Sequence, residues 1–378
     1  MEETKILILG VKEWPYGSSA NYEKHVGGGT GKYVTAILKH FNNENIKSII
    51  VTRKFPTQNK YEKITDKLEI YRVPFIGGAY LRVPSFYLSA FLSSYSILNN
   101  EKIDIIYAHG IFATCLALLL SKRFNVPIVS RPAGLAFTIF KQPIKSILKI
   151  MEKVIYPKAD TIVFLSEDEK KKFKKLLDEQ FDNSVVIPTG IDVTDCEIKK
   201  QNDTLKLVFV GRLVPVKGID YLIKSFALLP TDMNIECTIV GDGRERNNLE
   251  NLANKLSVTN KFKFVGFKED VYTYLSESDI FVLPSFSEGL PIALLEAMSM
   301  KLACIVTDIG LPFPDDTILK VAVKDEKELA TAIIKLYNNI ELRMHLGENA
   351  KSYVKEHHSW NNAINSYLMV FDELLNKE

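Results

Sequence analysis

The residues best suited to chemistry lie in one run, Phe281-Val-Leu-Pro-Ser-Phe-Ser-Glu-Gly-Leu-Pro-Ile-Ala-Leu-Leu-Glu-Ala-Met298. Its apolar start reads as a buried strand ending at Pro284, and Pro291 suits the first position of a helix. Glu288 then lies in the turn at the strand's carboxyl end, and Glu296 lies a turn or more into the helix. Between them, the N–H groups of Gly289 and Leu290 lack helical partners and have the positive end of the helix dipole behind them. That corner suits a diphosphate flanked by two carboxylates, Glu296 accepting from a ribose diol and Glu288 from sugar hydroxyls. A second run, Val210-Gly-Arg-Leu-Val-Pro-Val-Lys-Gly218, brackets a tight loop with Arg212 and Lys217. Two cations facing a helix N-terminus offset the charge of a leaving diphosphate without a metal. Taken singly, these are two helix-start acids and two solvated cations. Their weight comes from occurring together.

Gly241-Asp-Gly243 and Val265-Gly-Phe267 end two further strands, where glycine lets a planar base approach the backbone; ordinary turn chemistry would also place them there. His109, in Tyr107-Ala-His-Gly110, follows an apolar strand at its carboxyl end, the functional edge of a parallel sheet, although a structural histidine would fit the same place. Gly27-Gly-Gly-Thr-Gly-Lys-Tyr33 imitates a phosphate-binding P-loop. Val26 stands where the pattern needs its first glycine, and Tyr33 replaces the magnesium-binding hydroxyl, so an ATPase is not expected. Glycines opening a helix still offer bare N–H groups, which keeps Gly28 and Gly29 as contacts for a phosphate or sugar. No Asp-x-Asp and no His-Glu-x-x-His occurs, so no catalytic metal is expected, and no Gly-x-Ser-x-Gly marks a serine hydrolase.

The elements that must position these residues alternate short apolar strands with longer helical patterns. The first half offers strands at Lys5–Leu9, Lys47–Val51, Leu68–Val73, Ile103–Tyr107, Pro127–Ser130, Thr161–Leu165 and Val185–Ile187. The second offers Lys206–Val210, Ile235–Val240, Lys261–Val265, Asp279–Leu283, Leu302–Val306 and Leu319–Val321. Nearly continuous Val/Ile/Leu strands separated by helices predict parallel sheets covered on both faces. The rhythm breaks at 188–205, so two doubly wound α/β domains are expected, at 1–190 and 205–356, with a substrate cleft between them. An amphipathic helix over 357–378 presents Trp360, Ile364, Tyr367, Leu368 and Phe371 on one side.

The net charge of +2 conceals a split: residues 1–190 carry 27 basic against 18 acidic residues, the remainder 21 against 28. The near-neutral total excludes a general nucleic-acid binder, and the split points to different partners for the halves. Four scattered cysteines without a Cys-x-x-Cys fit a reducing cytoplasm. No signal peptide or membrane span is expected. Lys141, Lys145, Lys149 and Lys153 recur at a spacing of four between Ile144, Ile147, Leu148, Met151 and Ile155. The stripe could meet anionic headgroups as a peripheral membrane contact; the simpler expectation is a packed helix with a solvated lysine face. Phe86–Leu98 is either an acceptor platform or core.

The chain resembles the family-4 retaining glycosyltransferases of GT-B fold, the group-1 glycosyl transferases. The resemblance rests on Gly-Arg-Leu-x-x-x-Lys-Gly (211–218), Gly-Asp-Gly (241–243), Val-Gly-Phe (265–267), Pro-Ser-x-x-Glu-Gly-Leu-Pro-x-x-x-x-Glu-Ala-Met (284–298) and Trp360. It implies two facing Rossmann-like domains, the first binding the acceptor and the second the nucleotide sugar, with a C-terminal helix crossing back. It further implies Glu288 on the donor sugar, Glu296 on the ribose, Arg212 and Lys217 on the diphosphate, and backbone at Gly266 and Phe267 on the base. His109 would polarise or position the transferred sugar, and the leaving phosphate would help deprotonate the acceptor with retention at the anomeric carbon. A UDP-sugar is the first expectation for the donor and GDP-mannose the next, with no cofactor. A non-catalytic GT-B subunit, or an epimerase or sugar phosphorylase on this architecture, is the alternative. There are two departures: Thr189 precedes Gly190 where asparagine is commoner, and after Thr307-Asp308 the run Ile309-Gly-Leu-Pro-Phe-Pro-Asp315 replaces the usual paired glycines and acid, a region that in the family contacts the donor.

Overall fold

The structure, a computed structural model, describes residues 3–11, 29–56, 58–77, 81–138, 142–193, 204–288 and 290–376. The chain folds as two compact units, Met1–Gly190 with Trp360–Glu378, and Ile191–Ser359. The boundary at Gly190 falls inside the expected break, whose residues 194–203 lie outside the described ones.

Unit 1 runs β1 (Thr4–Leu9), α1 (Gly29–Phe41), β2 (Ile46–Arg53), β3 (Tyr61–Thr65), β4 (Leu68–Val73), α2 (Arg82–Asn100) and β5 (Ile105–His109). It continues with α3 (Ile111–Phe124), β6 (Ile128–Arg131), α4 (Ile144–Ile155), β7 (Thr161–Phe164), α5 (Glu167–Leu177) and β8 (Ser184–Val186). The sheet order is β3-β4-β2-β1-β5-β6-β7-β8. The side chains of β1 divide by the period of a strand. Leu7 and Leu9 join the core against α2 to α5, whereas Ile6 and Ile8 join a second core on the opposite face, against α1.

Unit 2 runs β9 (Leu205–Val210), α6 (Ile219–Phe226), β10 (Ile235–Val240), α7 (Arg246–Lys255), β11 (Phe262–Gly266) and α8 (Tyr272–Ser276). It continues with β12 (Ile280–Leu283), α9 (Ile292–Ser299), β13 (Ala303–Thr307), β14 (Leu319–Val321), α10 (Glu326–Asn338) and α11 (Ile340–His357). All its strands pair in parallel, in the order β11-β10-β9-β12-β13-β14. Both sheets are doubly wound, and the order of connection reverses between β1 and β5 in unit 1 and between β9 and β12 in unit 2. Ligands of such sheets bind where the order reverses, because the loops diverge there to opposite faces.

The chain then returns to unit 1 in α12 (Trp360–Leu375), which buries Trp360, Ile364, Tyr367 and Phe371 in the core shared with α1 and one face of the sheet. The helix starts at Trp360 rather than 357; His357 ends α11 instead. Gly190 is small for a packing reason: a Cβ there would collide with the Trp360 ring. The Trp360 indole also stacks on His40 at 4.7 Å between centroids.

Two further expectations are corrected. The first sheet is not wholly parallel: β3 pairs antiparallel with β4 through the short turn after Thr65. Its sequence, Tyr-Glu-Lys-Ile-Thr, is largely polar because an edge strand covers no core, so it lacks the apolar signal that marks its neighbours. The second concerns α4, which was expected to pack its isoleucines. Leu148 and Glu152 are its buried residues, while Ile144, Ile147, Ile150 and Val154 are exposed, Ile150 to 65%. Glu152 is drawn inward because its carboxylate accepts the Ala136 N–H at 2.7 Å. Lys141 lies outside the described residues. In α2, Phe86, Ala90, Ser94, Ile97 and Leu98 are buried, whereas Leu88 and Leu92 face outward.

Candidate active site

In unit 2 the loops after β9, β10, β11 and β12 interlock at the carboxyl ends of four adjacent strands. Gly218 adopts φ +62°, and a Cβ there would strike the carbonyl oxygen of Pro284. Beside it, the Phe286 N–H donates to the Val216 carbonyl at 2.8 Å. These contacts clamp the 211–218 loop onto 284–288, residues some seventy positions away, at the reversal between β9 and β12. The same juxtaposition brings Lys217 Nζ to Glu288 Oε1 at 2.6 Å, with side-chain exposures of 18% and 12%. A half-sequestered pair of this kind costs desolvation on both sides, and removing either partner strands the other. It places one cation and one carboxylate where a ligand's charge and hydroxyls can replace part of their mutual contact.

The flanking glycines close the loop set. A Cβ at Gly241 would collide with Gly211 O and one at Gly243 with Leu213 O, and the Gly241 N–H donates to Gly266 O at 2.8 Å. Gly266 itself sits at φ +74°, and Phe267 is exposed beyond it. Arg212 is exposed in the same loop as Lys217. Helix α9 begins at Ile292, with Pro291 as its N-terminal flanking residue, one position earlier than expected for a proline inside the helix. Leu290 is half-buried against the core, Glu296 lies in the second turn of α9, and Gly289 is outside the described residues. The structure thus joins Lys217 and Glu288 directly and sets Arg212, Gly266, Phe267, Leu290 and Glu296 on the same sheet edge. Sequence reasoning passed over Tyr272, whose phenol is pushed up by burial and next by the charges of Glu296 and Asp192.

In unit 1 His109 ends β5 beside the reversal, packed so tightly that a Cβ at Gly10, after β1, would collide with its carbonyl oxygen. The residue is 3% exposed, and neither ring nitrogen has a hydrogen-bond partner among the described residues. Burial, then the charge of Arg131, holds its imidazole well below the usual histidine range, so the ring is neutral at pH 7. Its surroundings were not foreseen. Tyr107 lies 4.4 Å from the His109 ring and Tyr33 lies 6.3 Å away. Tyr367 of α12 shares hydrogen bonds with Tyr33 (2.6 Å between hydroxyl oxygens) and with Tyr107 (2.8 Å). Tyr33, which breaks the P-loop pattern, is therefore a buried anchor for the C-terminal helix. Gly29 opens α1; Gly28 lies outside the described residues.

Arg131, on β6 opposite His109 in the strand register, is 6% exposed. Its Nε and Nη1 are buried without a hydrogen-bond partner, and no carboxylate among the described residues pairs with it. Its guanidinium lies 4.2 Å over the Tyr33 ring. A desolvated cation–π contact contributes about 2 kcal/mol, whereas sequestering an ion costs several kcal/mol. Arg131 is thus under-compensated as it stands. Nothing in the tripeptide Ser130-Arg-Pro132 signals this; the strand pairing does.

Sequence comparison places these features in a family. Residues 193–353 match the family described as glycosyl transferases group 1, and residues 27–195 match glycosyltransferase family 4. An uncharacterized glycosyltransferase of Methanocaldococcus jannaschii is 29% identical over 94% of this chain and 97% of its own. The UDP-Gal:alpha-D-GlcNAc-diphosphoundecaprenol alpha-1,3-galactosyltransferase of Escherichia coli is 31% identical over 59% of this chain and 62% of its own. In fold, sucrose-phosphate synthase from Thermosynechococcus elongatus superposes with a TM-score of 0.83 at 18% identity, covering 99% of this chain and 100% of that one. With both matched families spanning 27–353 and the interlocked glycine loops in place, the chain belongs to the group-1, family-4 glycosyltransferases of GT-B fold.

Proposed function

We propose that this glycosyltransferase moves a hexose from a nucleoside-diphosphate sugar, a UDP-sugar before GDP-mannose, to an acceptor hydroxyl with retention and without a catalytic metal. The observation that carries the reading is the Lys217–Glu288 pair at the sheet reversal of unit 2, with Glu296 on the helix that follows. Lys217 and Arg212 hold the diphosphate and offset the charge that grows on it as the glycosidic bond breaks. Glu288 and the N–H groups at 289–290 take the sugar, Glu296 takes the ribose diol, and backbone at Gly266 and Phe267 meets the base. His109, neutral at working pH, orients the transferred sugar from unit 1, with Gly28 and Gly29 contributing N–H contacts. The departing phosphate accepts the acceptor's proton, so no separate protein base is needed on the reacting face.

The acceptor is lipid-linked, and the enzyme works in the cytoplasm at the membrane surface. This rests on the activity of the E. coli relative, whose substrate is a diphosphoundecaprenol-linked sugar, and on α4, whose exposed Ile144, Ile147, Ile150 and Val154 lie among Lys145, Lys149 and Lys153. A bilayer surface rewards that combination through apolar insertion and headgroup attraction. Among the described residues no helix is long and apolar enough to cross a membrane.

A thermal-shift panel of UDP, GDP, ADP and their sugars tests the donor. A ligand at a hundredfold its dissociation constant adds about 2.7 kcal/mol, so one nucleotide series should raise the melting temperature selectively. Lys217→Ala and Glu296→Ala should abolish that rise while keeping the fold. If both variants bind UDP and GDP as the parent does, the site is misassigned.

A further inference from the structure

A charge that cannot be shed needs a counter-charge once it is buried. Arg131 has none among the described residues. The acid that acts on it electrostatically, Glu169, spends Oε2 on the Leu165 N–H at 2.7 Å and forms no ion pair with the guanidinium. The neighbouring His109 offers, in its neutral form, one donor and one acceptor, both unused. Directly after His109 comes Gly110 and then the fourteen-residue helix α3, whose N-terminus has no capping side chain, so its first N–H groups open at the same strand end. Arg131 and His109 are register partners on adjacent strands, both against the Tyr33 ring, and α3 starts at the same strand end beside the β1–β5 reversal, where a doubly wound sheet takes its ligand. Lysine would be a point charge here; the flat fork of arginine matches the planar or tetrahedral oxygens of an oxyanion.

We propose that Arg131, together with His109, forms a binding site in unit 1 for an oxyanionic group, phosphate or carboxylate, carried by the acceptor. The site supplies the missing counter-charge from the ligand, so acceptor binding and neutralisation of a buried arginine are one event. An acceptor lacking the anion leaves the guanidinium uncompensated, which makes the residue a specificity determinant as well as a contact. The proposal rests on the reading of unit 1 as the acceptor side of a glycosyltransferase, and it specifies the acceptor's chemical class.

The test titrates inorganic phosphate, succinate and methyl glucoside into the full chain at constant ionic strength, using calorimetry, with Arg131→Met, Arg131→Lys and Lys217→Ala alongside. The parent should bind phosphate or succinate and not the neutral glycoside. Arg131→Met should weaken that binding at least tenfold, Arg131→Lys by less, and Lys217→Ala should leave it within twofold. Phosphate alone assigns a phosphorylated acceptor, and succinate alone a carboxylated one. An affinity unchanged in Arg131→Met, or lost on Lys217→Ala, overturns the site. Should the Arg131 variants fail to fold, hydrogen exchange on the parent decides: phosphate must slow exchange at 107–114 and 128–135, and protection confined to 211–218 and 284–296 refutes the proposal. UDP and GDP binding in Arg131→Met should match the parent. If no nucleotide binds any variant while anion binding still depends on Arg131, the glycosyl-transfer reading fails and the anion site stands.

Discussion

The two sheet reversals treat charge in opposite ways. In unit 2, Lys217 is matched by Glu288 at 2.6 Å, and glycines at 211, 218, 241 and 243 draw the loops together so that the pair is held before any ligand arrives. In unit 1, Arg131 and His109 are more deeply buried yet unmatched, and a hydroxyl relay through Tyr33, Tyr367 and Tyr107 packs around them. A matched pair is stable alone and exchanges partners when a ligand brings both charge and hydroxyls. An unmatched buried cation is tolerated only where the surrounding fold is strong enough to hold it and a ligand completes it. The unit 2 reversal thus holds its charges already matched, whereas the unit 1 reversal keeps a buried cation without a counter-charge among the described residues.

The largest expected break in that contrast is Lys217→Ala. Removing a preorganised cation from a developing diphosphate should lower kcat/KM about 10²–10³-fold, measured with the donor that the thermal-shift panel selects. Anion binding in unit 1 should be unaffected. Next comes Gly218→Ala. Its positive φ and its collision with Pro284 O should cost about 2–3 kcal/mol by urea denaturation and weaken nucleotide binding. A smaller loss, about 1–2 kcal/mol, is expected of Tyr367→Phe, which leaves the buried Tyr33 and Tyr107 hydroxyls without their shared partner. Since Tyr367 belongs to unit 1, nucleotide affinity should stay at the parent value. A coupled loss would show that the two reversals are not independent.

The smallest effect is a pH slope. The folded protein holds His109 well below its ordinary value, near 6.5 in an unfolded chain, so below that pH the unfolded state binds a proton that the folded state does not. The contribution is complete above about pH 6.5 and is lost as pH falls toward the folded value. Glu152 and Glu169, both pushed up mainly by burial, act in the opposite sense, because the folded state keeps their protons longer. Comparing melting temperatures of His109→Asn and the parent from pH 7.5 to 5 isolates the histidine. The parent should lose stability relative to the variant as pH drops.

Most of the unit 2 site was legible in the sequence because glycine and charge carry it locally. Gly-Arg-Leu-x-x-x-Lys-Gly marks a strand end, a left-handed turn and a helix start within eight residues, and Pro284 to Met298 does the same with its two acids. The apolar strands were legible too, with boundaries shifted by a residue or two, since burial on both faces demands unbroken Val, Ile and Leu. The edge strand β3 was not, because a polar strand has no core to cover. Nor was the outward turn of the α4 isoleucines, since periodicity reports an apolar face and not what covers it.

Residue type and spacing by themselves determined that this chain has two doubly wound halves and that the second carries cations and acids at strand ends. Those are short-range consequences of backbone preference and burial. Tertiary structure alone decided that Lys217 meets Glu288, that Tyr33 anchors a helix more than three hundred residues away, and that Arg131 lies buried beside His109 without a counter-charge. Each depends on strand order and register, which bring distant residues to one sheet edge, and on how much water the packing leaves around a charge once they arrive there.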